Sequence, residues 1–399
     1  MITVKIKGGL GNQLFQYSAA RSLAYDMKTD LYLDLSWFDN YPNAPEHVKY
    51  LLNDFNIELS GFVGSYSWKL KKKINKIKKS SETQFKDYDA HNEYYDYNEK
   101  IITLKDNIFL DGYWQDERYF LNNQEKIKEN LEITTKPTKK NKILLKEIDS
   151  NNSIALTVRR GDYLTPSRKA QFGFCTLDYY NKAAEIIAKK VDNPIFYIFS
   201  DDPDWVEKNI KLNYPTNYIS HNNKAKKYYE DLRLISHCKH HIMANSTFSW
   251  WGSWLSENPS KIAIGPEPWF NRYTMPHIMP KNWVRLKCDR SEIFNGAKNS
   301  IYKVKDIKIN ENETKEINSS AILPENQNDN IMKLTLLSEK KGILKIHFEK
   351  MNPIAIGYGK KISERYIYLD KEISLDNLKI SNIGKSQLII NDLEIKNFE

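Results

Sequence analysis

The stretch Thr157 to Tyr163, T-V-R-R-G-D-Y, contains the residue types best suited to chemistry on an anion. Arg159 and Arg160 end an apolar run that starts at Ile154, and Gly161, Asp162 and Tyr163 follow them. Guanidinium forks match phosphate oxygens through two parallel hydrogen bonds and never lose their charge in a protein. At the end of a buried strand such charges require a counter-anion, from a ligand or from the chain itself. Consecutive strand residues face opposite ways, so one arginine is expected on a ligand and the other tied down, with Asp162 as a partner. An ordinary ion pair at a strand end accounts for the same residues without any ligand.

Four other stretches carry groups that a ligand can use. G-G-L-G-N-Q, Gly8 to Gln13, lies between a strand at Thr3 to Ile6 and a helix at Leu14 to Tyr25, whose inner face is expected at Leu14, Phe15, Ser18, Ala19, Ser22 and Leu23. A strand, a glycine turn and a helix start together point free N–H groups at an anion, and Asn12 adds an amide. The spacing is neither G-x-G-x-x-G nor G-x-x-x-x-G-K-[ST], and a tight turn without a ligand also fits. S-D-D-P-D, Ser200 to Asp204, has the D-x-D spacing that holds a divalent cation. Asp202, Pro203 and Asp204 also suit an N-cap, a first helical residue and a charge favoured by the helix dipole, and on that reading no metal site is expected.

In N-S-T-F-S-W-W-G-S-W-L, Asn245 to Leu255, Ser246 or Thr247 caps a helix whose N–H groups face the edge carrying Arg159. Trp250, Trp251 and Trp254 are expected to pack that helix against the sheet. Tyr113, Trp114 and Gln115 end a strand beginning at Asn107, where they offer a sugar an aromatic face and an amide or else pack in the core. His237, His240 and His241 lack a metal-ligand spacing.

Elements of regular spacing must hold these groups. From Ile154 onwards strands alternate with helices: strand Ile154 to Val158, helix Leu177 to Val191, strand Pro194 to Phe199 and helix Pro203 to Ile210. A short strand near Tyr218, helix Tyr228 to Lys239, strand His241 to Ala244, helix Thr247 to Glu257 and strand Lys261 to Ile264 complete the run. This order predicts an α/β fold with a parallel sheet covered on both faces, which binds ligands at the carboxyl ends of its strands. Arg159, Arg160, Ser200, Asp201, Asn245 and Ser246 all fall on those ends. The first half repeats the scheme more weakly, with a second strand at Leu31 to Leu35 and a helix from Asp116 towards Leu131. A polar, lysine-rich join containing a short helix, Lys139 to Ile148, separates the halves. The expected domains are residues 1–134, a linker at 135–152, residues 153–288, and an antiparallel β-rich tail at 289–399 read as a packing or oligomerisation module.

The chain has 399 residues, 40% hydrophobic and 13% aromatic, with a net charge of +9. That composition excludes a disordered protein and favours anionic partners, while the scattered lysines lack any nucleic-acid reading motif. Three widely spaced cysteines and no apolar leader suggest a cytoplasmic protein. Trp68 to Lys79, with Leu70, Ile74 and Ile77 on one stripe among lysines, suits a basic amphipathic helix resting on the inner membrane face, although a solvated helix with a thin core stripe is the commoner cause of such a pattern.

Taken together, several stretches in this order resemble glycosyltransferase family 11, the α-1,2-fucosyltransferases, in its bacterial form. They are G-G-L-G-N-Q-L-F-Q-Y at Gly8 to Tyr17, G-Y-W-Q-D-E-R-Y-F at Gly112 to Phe120, V-R-R-G-D-Y at Val158 to Tyr163, F-S-D-D at Phe199 to Asp202 and A-N-S-T-F-S-W-W-G-S-W-L at Ala244 to Leu255. The likeness spans about Thr3 to Arg285. It implies a GT-B architecture, with two Rossmann-like domains facing across a cleft, the first mainly for the acceptor and the second for GDP-β-L-fucose. It also implies inverting, metal-independent transfer to the 2-hydroxyl of a galactose-ended oligosaccharide or lipid-linked glycan, with no cofactor beyond the donor itself.

Carried over by position, Arg159 meets the diphosphate with Asn12 near it, and Asp162 is the remaining catalytic candidate. Gly9, Gly11, Arg160, Asp201, Asn245, Ser246, Thr247 and Phe248 fall to donor binding, and Tyr113, Trp114 and Gln115 to the acceptor. One position departs from the pattern: the family's H-x-R-R-x-D begins with histidine, and this chain has Thr157. A transferase using another sugar nucleotide, or a weakened homologue that only binds nucleotide, fits the same motifs.

Overall fold

The computed structural model describes residues 1–41, 48–63, 83–86, 88–89, 94–95, 97–104, 106–222, 227–271, 275, 277–291, 299–317, 330–338, 342–348, 351–358, 361–369, 378–384 and 387–397. The lysine-rich stretch Trp68 to Lys79 lies outside them. Among the described residues, no helix is long and apolar enough to cross a membrane.

The first half is built on β1 (Ile2–Lys5), β2 (Leu31–Asp34), β3 (Gly61–Val63), β4 (Thr83–Lys86), a small hairpin of β5 (Tyr88–Asp89) and β6 (Tyr94–Tyr95), and β7 (Ile108–Asp111). Five strands form one parallel sheet in the order β3-β2-β1-β7-β4. Ile2 and Val4 pair in register with Leu31, Leu33, Ile108 and Leu110, all fully or almost fully buried, as expected of a strand covered on both faces. Helix α1 (Leu10–Met27) follows β1, and the single turn α2 (Ser36–Asp39) follows β2. The expected one-sided face of α1 is not what is observed. Nearly every residue from Leu10 to Ala24 is buried, because a second layer covers the helix on the side away from its sheet.

The helix expected from Asp116 towards Leu131 is broken. Asp116 accepts from Arg118 N and caps a 3₁₀ turn, Glu117–Tyr119, a second turn follows, and α3 spans only Gln124–Asn130. The join between the halves is more than a passive linker. Thr138 caps α4 (Lys139–Ser150), Ile148 is fully buried beside Ala155 and Tyr197, and the Asn141 amide donates to Glu230 at 2.7 Å.

The second half contains β8 (Asn152–Val158), α5 (Pro166–Phe172), α6 (Leu177–Ala188), β9 (Pro194–Ser200), α7 (Pro203–Asn209), β10 (Thr216–Ile219) and α8 (Tyr228–His237). It ends with β11 (His240–Ile242), α9 (Thr247–Leu255), β12 (Ala263–Glu267) and β13 (Val284–Lys287). Its six strands are parallel in the order β10-β9-β8-β11-β12-β13. The fold class is α/β, as expected.

The tail comprises β14 (Asn299–Ile309), β15 (Thr314–Glu316), β16 (Asn330–Ser338), β17 (Gly342–Phe348), β18 (Met351–Tyr358), β19 (Lys361–Leu369), β20 (Lys379–Gly384) and β21 (Leu388–Asn397). Two four-stranded antiparallel sheets, β14-β21-β16-β19 and β15-β20-β17-β18, share one core that includes Ile309, Leu334, Leu344 and Leu393. This is a β-sandwich, and its strand β19 packs beside α5.

Candidate active site

The chain leaves β8 for β9 and β10 on one side and returns to β11 on the other, so strand order reverses between β8 and β11. Open parallel sheets bind ligands in the crevice outside such a reversal. Val158 pairs in register with Ser200, which brings Arg159 and Arg160 level with Asp201 and Asp202. Thr157 lies in the seam itself. It is buried, its hydroxyl donates to Ile242 O at 3.3 Å, and it accepts from Ala244 N at 3.1 Å. The residue that replaces the pattern's histidine thus ties the ends of β8 and β11 together.

Both arginines are held, which differs from the expectation of one tied and one free. Arg159 Nη2 donates to Asp162 Oδ1 at 2.6 Å, and its Nη1 lies 2.8 Å from Asp201 Oδ2. Burial disfavours the charge, yet Asp201 and Asp162 outweigh it and hold the guanidinium above its usual range. Asp162 therefore serves the arginine assigned to the ligand, not the other one. Arg160 stacks 3.6 Å over the Trp205 ring and donates through Nε to Asp202 Oδ2 at 3.0 Å. This locks Arg160 onto α7. Asp202 also caps α7 by accepting from Trp205 N at 3.3 Å, so both of its oxygens have protein partners. Asp201 is likewise engaged, accepting from Arg160 N at 2.9 Å as well as pairing with Arg159.

Tyr163, absent from the expected site residues, links the arginine to the next strand end. Arg159 lies 5.4 Å from its ring centroid, and its hydroxyl donates to Asn245 O at 3.3 Å. Burial pushes that phenol up to about 12, so it stays a neutral donor. Its position four residues after Arg159, at the end of the V-R-R-G-D-Y stretch, was the available signal. Asn245, expected on the donor, is fully buried. Its amide donates to Phe172 O and Gly173 O, and its oxygen faces the Cys175 thiol, so it anchors the loop after α5.

Ser246 is the N-cap of α9, but its side chain makes no capping bond, and Ser246, Thr247 and Phe248 are all partly exposed. The Thr247 hydroxyl donates to Asn12 Oδ1 at 3.1 Å, and Gln115 Nε2 donates to the same oxygen at 2.8 Å. Asn12 thus joins the β7 loop of the first half to the start of α9 in the second. With its oxygen engaged, its amide nitrogen is what it can offer a ligand. Gly9 is the N-cap of α1, and its carbonyl accepts from Asn12 N and Gln13 N. The glutamines of the same motif clamp the turn: Gln13 Nε2 donates to Gly8 O and Lys49 O, and Gln16 bonds both backbone groups of Lys7.

Gly11 lies where α1 meets the start of α9. A Cβ there would stand 2.5 Å from Phe248 N and 2.6 Å from the Thr247 carbonyl carbon, so the glycine exists for helix contact. Trp251 Nε1 donates to Gly11 O at 2.9 Å, Phe15 lies 4.5 Å from Trp250, and Phe120 stacks on Trp251 at 5.4 Å. The tryptophans of α9 therefore pack against α1 and the first half, and Trp250 also meets its own half, donating through Nε1 to Ile278 O at 2.6 Å with the Trp283 ring 5.5 Å away. They are large aromatic surfaces at a crossing where only small backbone separates the helices.

Of the two readings of Trp114, its burial favours core packing. It is fully buried, its backbone has φ 56°, and it meets Tyr119 edge-on at 5.4 Å. Tyr113, with the Lys7 ammonium 4.9 Å from its ring centroid, and Gln115 stay at the carboxyl edge of the first sheet. At the same edge, after β2, Trp37 and Tyr41 stand with ring centroids 4.6 Å apart, and Tyr41 is 53% exposed. The weak periodicity after Ser36 hid that pair. His240 and His241 are buried in β11, where desolvation lowers both imidazoles, and His240 Nδ1 accepts from Ile262 N.

The family described as Glycosyl transferase family 11 matches residues 1–287. The chain belongs to that family. It is a glycosyltransferase, and the match ends with the last residue of β13, leaving the β-sandwich outside it. The chain is similar to an alpha-1,2-colitosyltransferase of Escherichia coli, 32% identical over 308 residues, 72% of this chain and 99% of that protein. An O-antigen biosynthesis glycosyltransferase, WbnK of Escherichia coli, is 32% identical over 302 residues, 70% of this chain and 99% of that one. The galactoside alpha-(1,2)-fucosyltransferase 1 of Homo sapiens is 26% identical over 153 residues, 36% of this chain and 41% of that protein.

Proposed function

We propose that this family 11 glycosyltransferase transfers L-fucose from GDP-β-L-fucose, with inversion and without a metal, to the 2-hydroxyl of a galactose-ended glycan destined for a surface polysaccharide. In this reading its two parallel sheets act as the lobes of a GT-B enzyme. The observation that carries the proposal is the set of contacts running from Arg159 through Tyr163 and Asn245 to Ser246, and from Thr247 to Asn12. It gathers a guanidinium, a helix start and an amide at the reversal in strand order.

Inversion needs the acceptor hydroxyl to attack the fucose carbon opposite the leaving diphosphate, through an oxocarbenium-like state. Charge then builds on the leaving group, and preorganised donors aimed at it give the largest single effect. Arg159, the N–H groups at the start of α9 and the Asn12 amide supply those donors. Engagement of Asp202 by Trp205 N and Arg160 supports the metal-free reading. Tyr113 and Gln115, with Trp37 and Tyr41, form the acceptor side.

The names of two relatives support an α-1,2 linkage, and one of them favours a second reading, transfer of a colitosyl group in the same linkage. Incubation with the GDP-linked fucose and colitose donors and an array of β-galactosides, read by mass, tests both. A fucosylated product formed in excess chelator supports the first reading. Product from the colitosyl donor alone supports the second, and no product with any acceptor overturns both.

A further inference from the structure

The two carboxylates that hold Arg159 are not equivalent. We infer that Asp201 is the permanent positioning partner of Arg159, whereas Asp162 is a placeholder anion that the incoming diphosphate displaces. The inference rests on the reading of Arg159 as the donor clamp.

Arg159 and Arg160 face Asp162, Asp201 and Asp202, two guanidiniums against three carboxylates, a formal charge of −1. A cluster of that sign repels a diphosphate until one carboxylate withdraws. Asp201 cannot be the one. Its Oδ1 accepts from Arg160 N at 2.9 Å, its Oδ2 holds Arg159 at 2.8 Å, and a side chain at Gly161 would collide with it, at 2.6 Å. Asp202 is pinned by the cap of α7 and by Arg160.

Asp162 differs on each count. Its side chain is the most exposed of the three, 40% against 25% and 31%. It sits on a single 3₁₀ turn, Gly161–Leu164, and one oxygen makes its bond to Arg159. That bond, Nη2 to a carboxylate oxygen at 2.6 Å, is the one a phosphate oxygen would make in its place. Asp162 therefore keeps the outer edge of the guanidinium paired and aimed until a donor takes it over.

The test measures affinity for GDP and for inorganic pyrophosphate by calorimetry in wild type, Asp162→Asn, Asp201→Asn and Arg159→Ala. The two asparagine variants remove the same charge from the same cluster, so a simple charge effect moves both in one direction. The placeholder role requires opposite directions. Asp162→Asn is expected to bind both probes about two- to fivefold more tightly. Asp201→Asn is expected to bind them about tenfold or more weakly, because Arg159 loses its fixed partner. Unchanged or weaker binding in Asp162→Asn, or equal tightening in both variants, overturns the inference. Wild-type affinity in Arg159→Ala overturns the donor clamp itself. Opposite responses with pyrophosphate, but no binding of GDP, keep the clamp and remove the guanine nucleotide from the proposed function.

Discussion

The Thr247 hydroxyl donates to the Asn12 side-chain oxygen at 3.1 Å, across 235 positions of the chain. Through that oxygen, which also accepts from Gln115, three separate motifs meet at one atom. Thr247→Val keeps the shape and removes the donor. It is expected to lower the unfolding free energy by about 1 kcal/mol and to lower donor affinity, since the Asn12 amide is then held only by Gln115. Thr247→Ser should restore both. Denaturant titration alongside nucleotide binding checks the pair, and a Thr247→Val protein with wild-type values in both measurements contradicts the assignment.

Gly11→Ala is expected to be among the most damaging small substitutions. The added methyl meets the backbone at Phe248 N, which cannot rotate away as a side chain can. The two helices must part, at about 1–3 kcal/mol or more, and the Trp251 bond to Gly11 O stretches with them. Thermal unfolding is the measurement, and an unchanged Tm would falsify the close approach of α1 to α9.

Adjacent arginines should separate by assay. Arg159→Ala is expected to lower turnover about a hundredfold or more, as the loss of a preorganised charge at the leaving group does. Arg160→Lys keeps the charge but loses the stack on Trp205 and the Nε bond to Asp202. It should reduce stability by about 1 kcal/mol with a far smaller effect on turnover. Comparing kcat with Tm in the two variants distinguishes the roles, and equal losses of turnover would contradict them.

Burial raises the Asp231 carboxyl to about 6, against the lowering effect of its bond from Asn222 and with a smaller upward push from Glu230. Its folded value lies above the unfolded one of about 3.9, so the folded state binds more protons between these limits. The contribution to stability is present below about pH 4 and is lost as pH rises through 6. Asp231→Asn has no proton to exchange and can still accept from Asn222. Its stability curve between pH 4 and 6 should be flatter than that of wild type, by about 2 kcal/mol over the interval. Parallel curves would show that the group does not titrate in this window.

Much of the second half is legible in the sequence. The apolar run from Ile154 to Val158 has no polar alternation because β8 is covered on both faces, and it is observed as Asn152–Val158. The helix expected at Leu177 to Val191 is observed as Leu177–Ala188, and that expected at Thr247 to Glu257 as Thr247–Leu255. Capping chemistry at Asp202 and Pro203 was equally local and equally legible. Other residues were not. Periodicity reports that a side is buried, not what buries it, so the contacts of Trp251 with Gly11 O and Phe120 in the first half were not foreseen. Trp114 fitted a sugar platform or core packing equally well, and its full burial came only with the tertiary structure. Asn245 sat at the right strand end for a ligand, and only the loop folding over it from Phe172 and Gly173 shows where its amide goes.

The sequence by itself determined which residue types meet at the carboxyl ends of the parallel strands, because strand length, helix caps and alternation are local properties of the backbone. It also determined that Arg159 and Arg160 must face apart. Tertiary structure alone decided that three aspartates answer the two arginines and that Arg160 lies flat on Trp205. It alone set Gly11 against Phe248 and bonded Asn12 to Thr247. Those outcomes depend on how two sheets approach through one pair of helices. That approach is settled by aromatic packing between positions more than 200 apart in the chain, such as Gly11 and Trp251, and no local pattern encodes it.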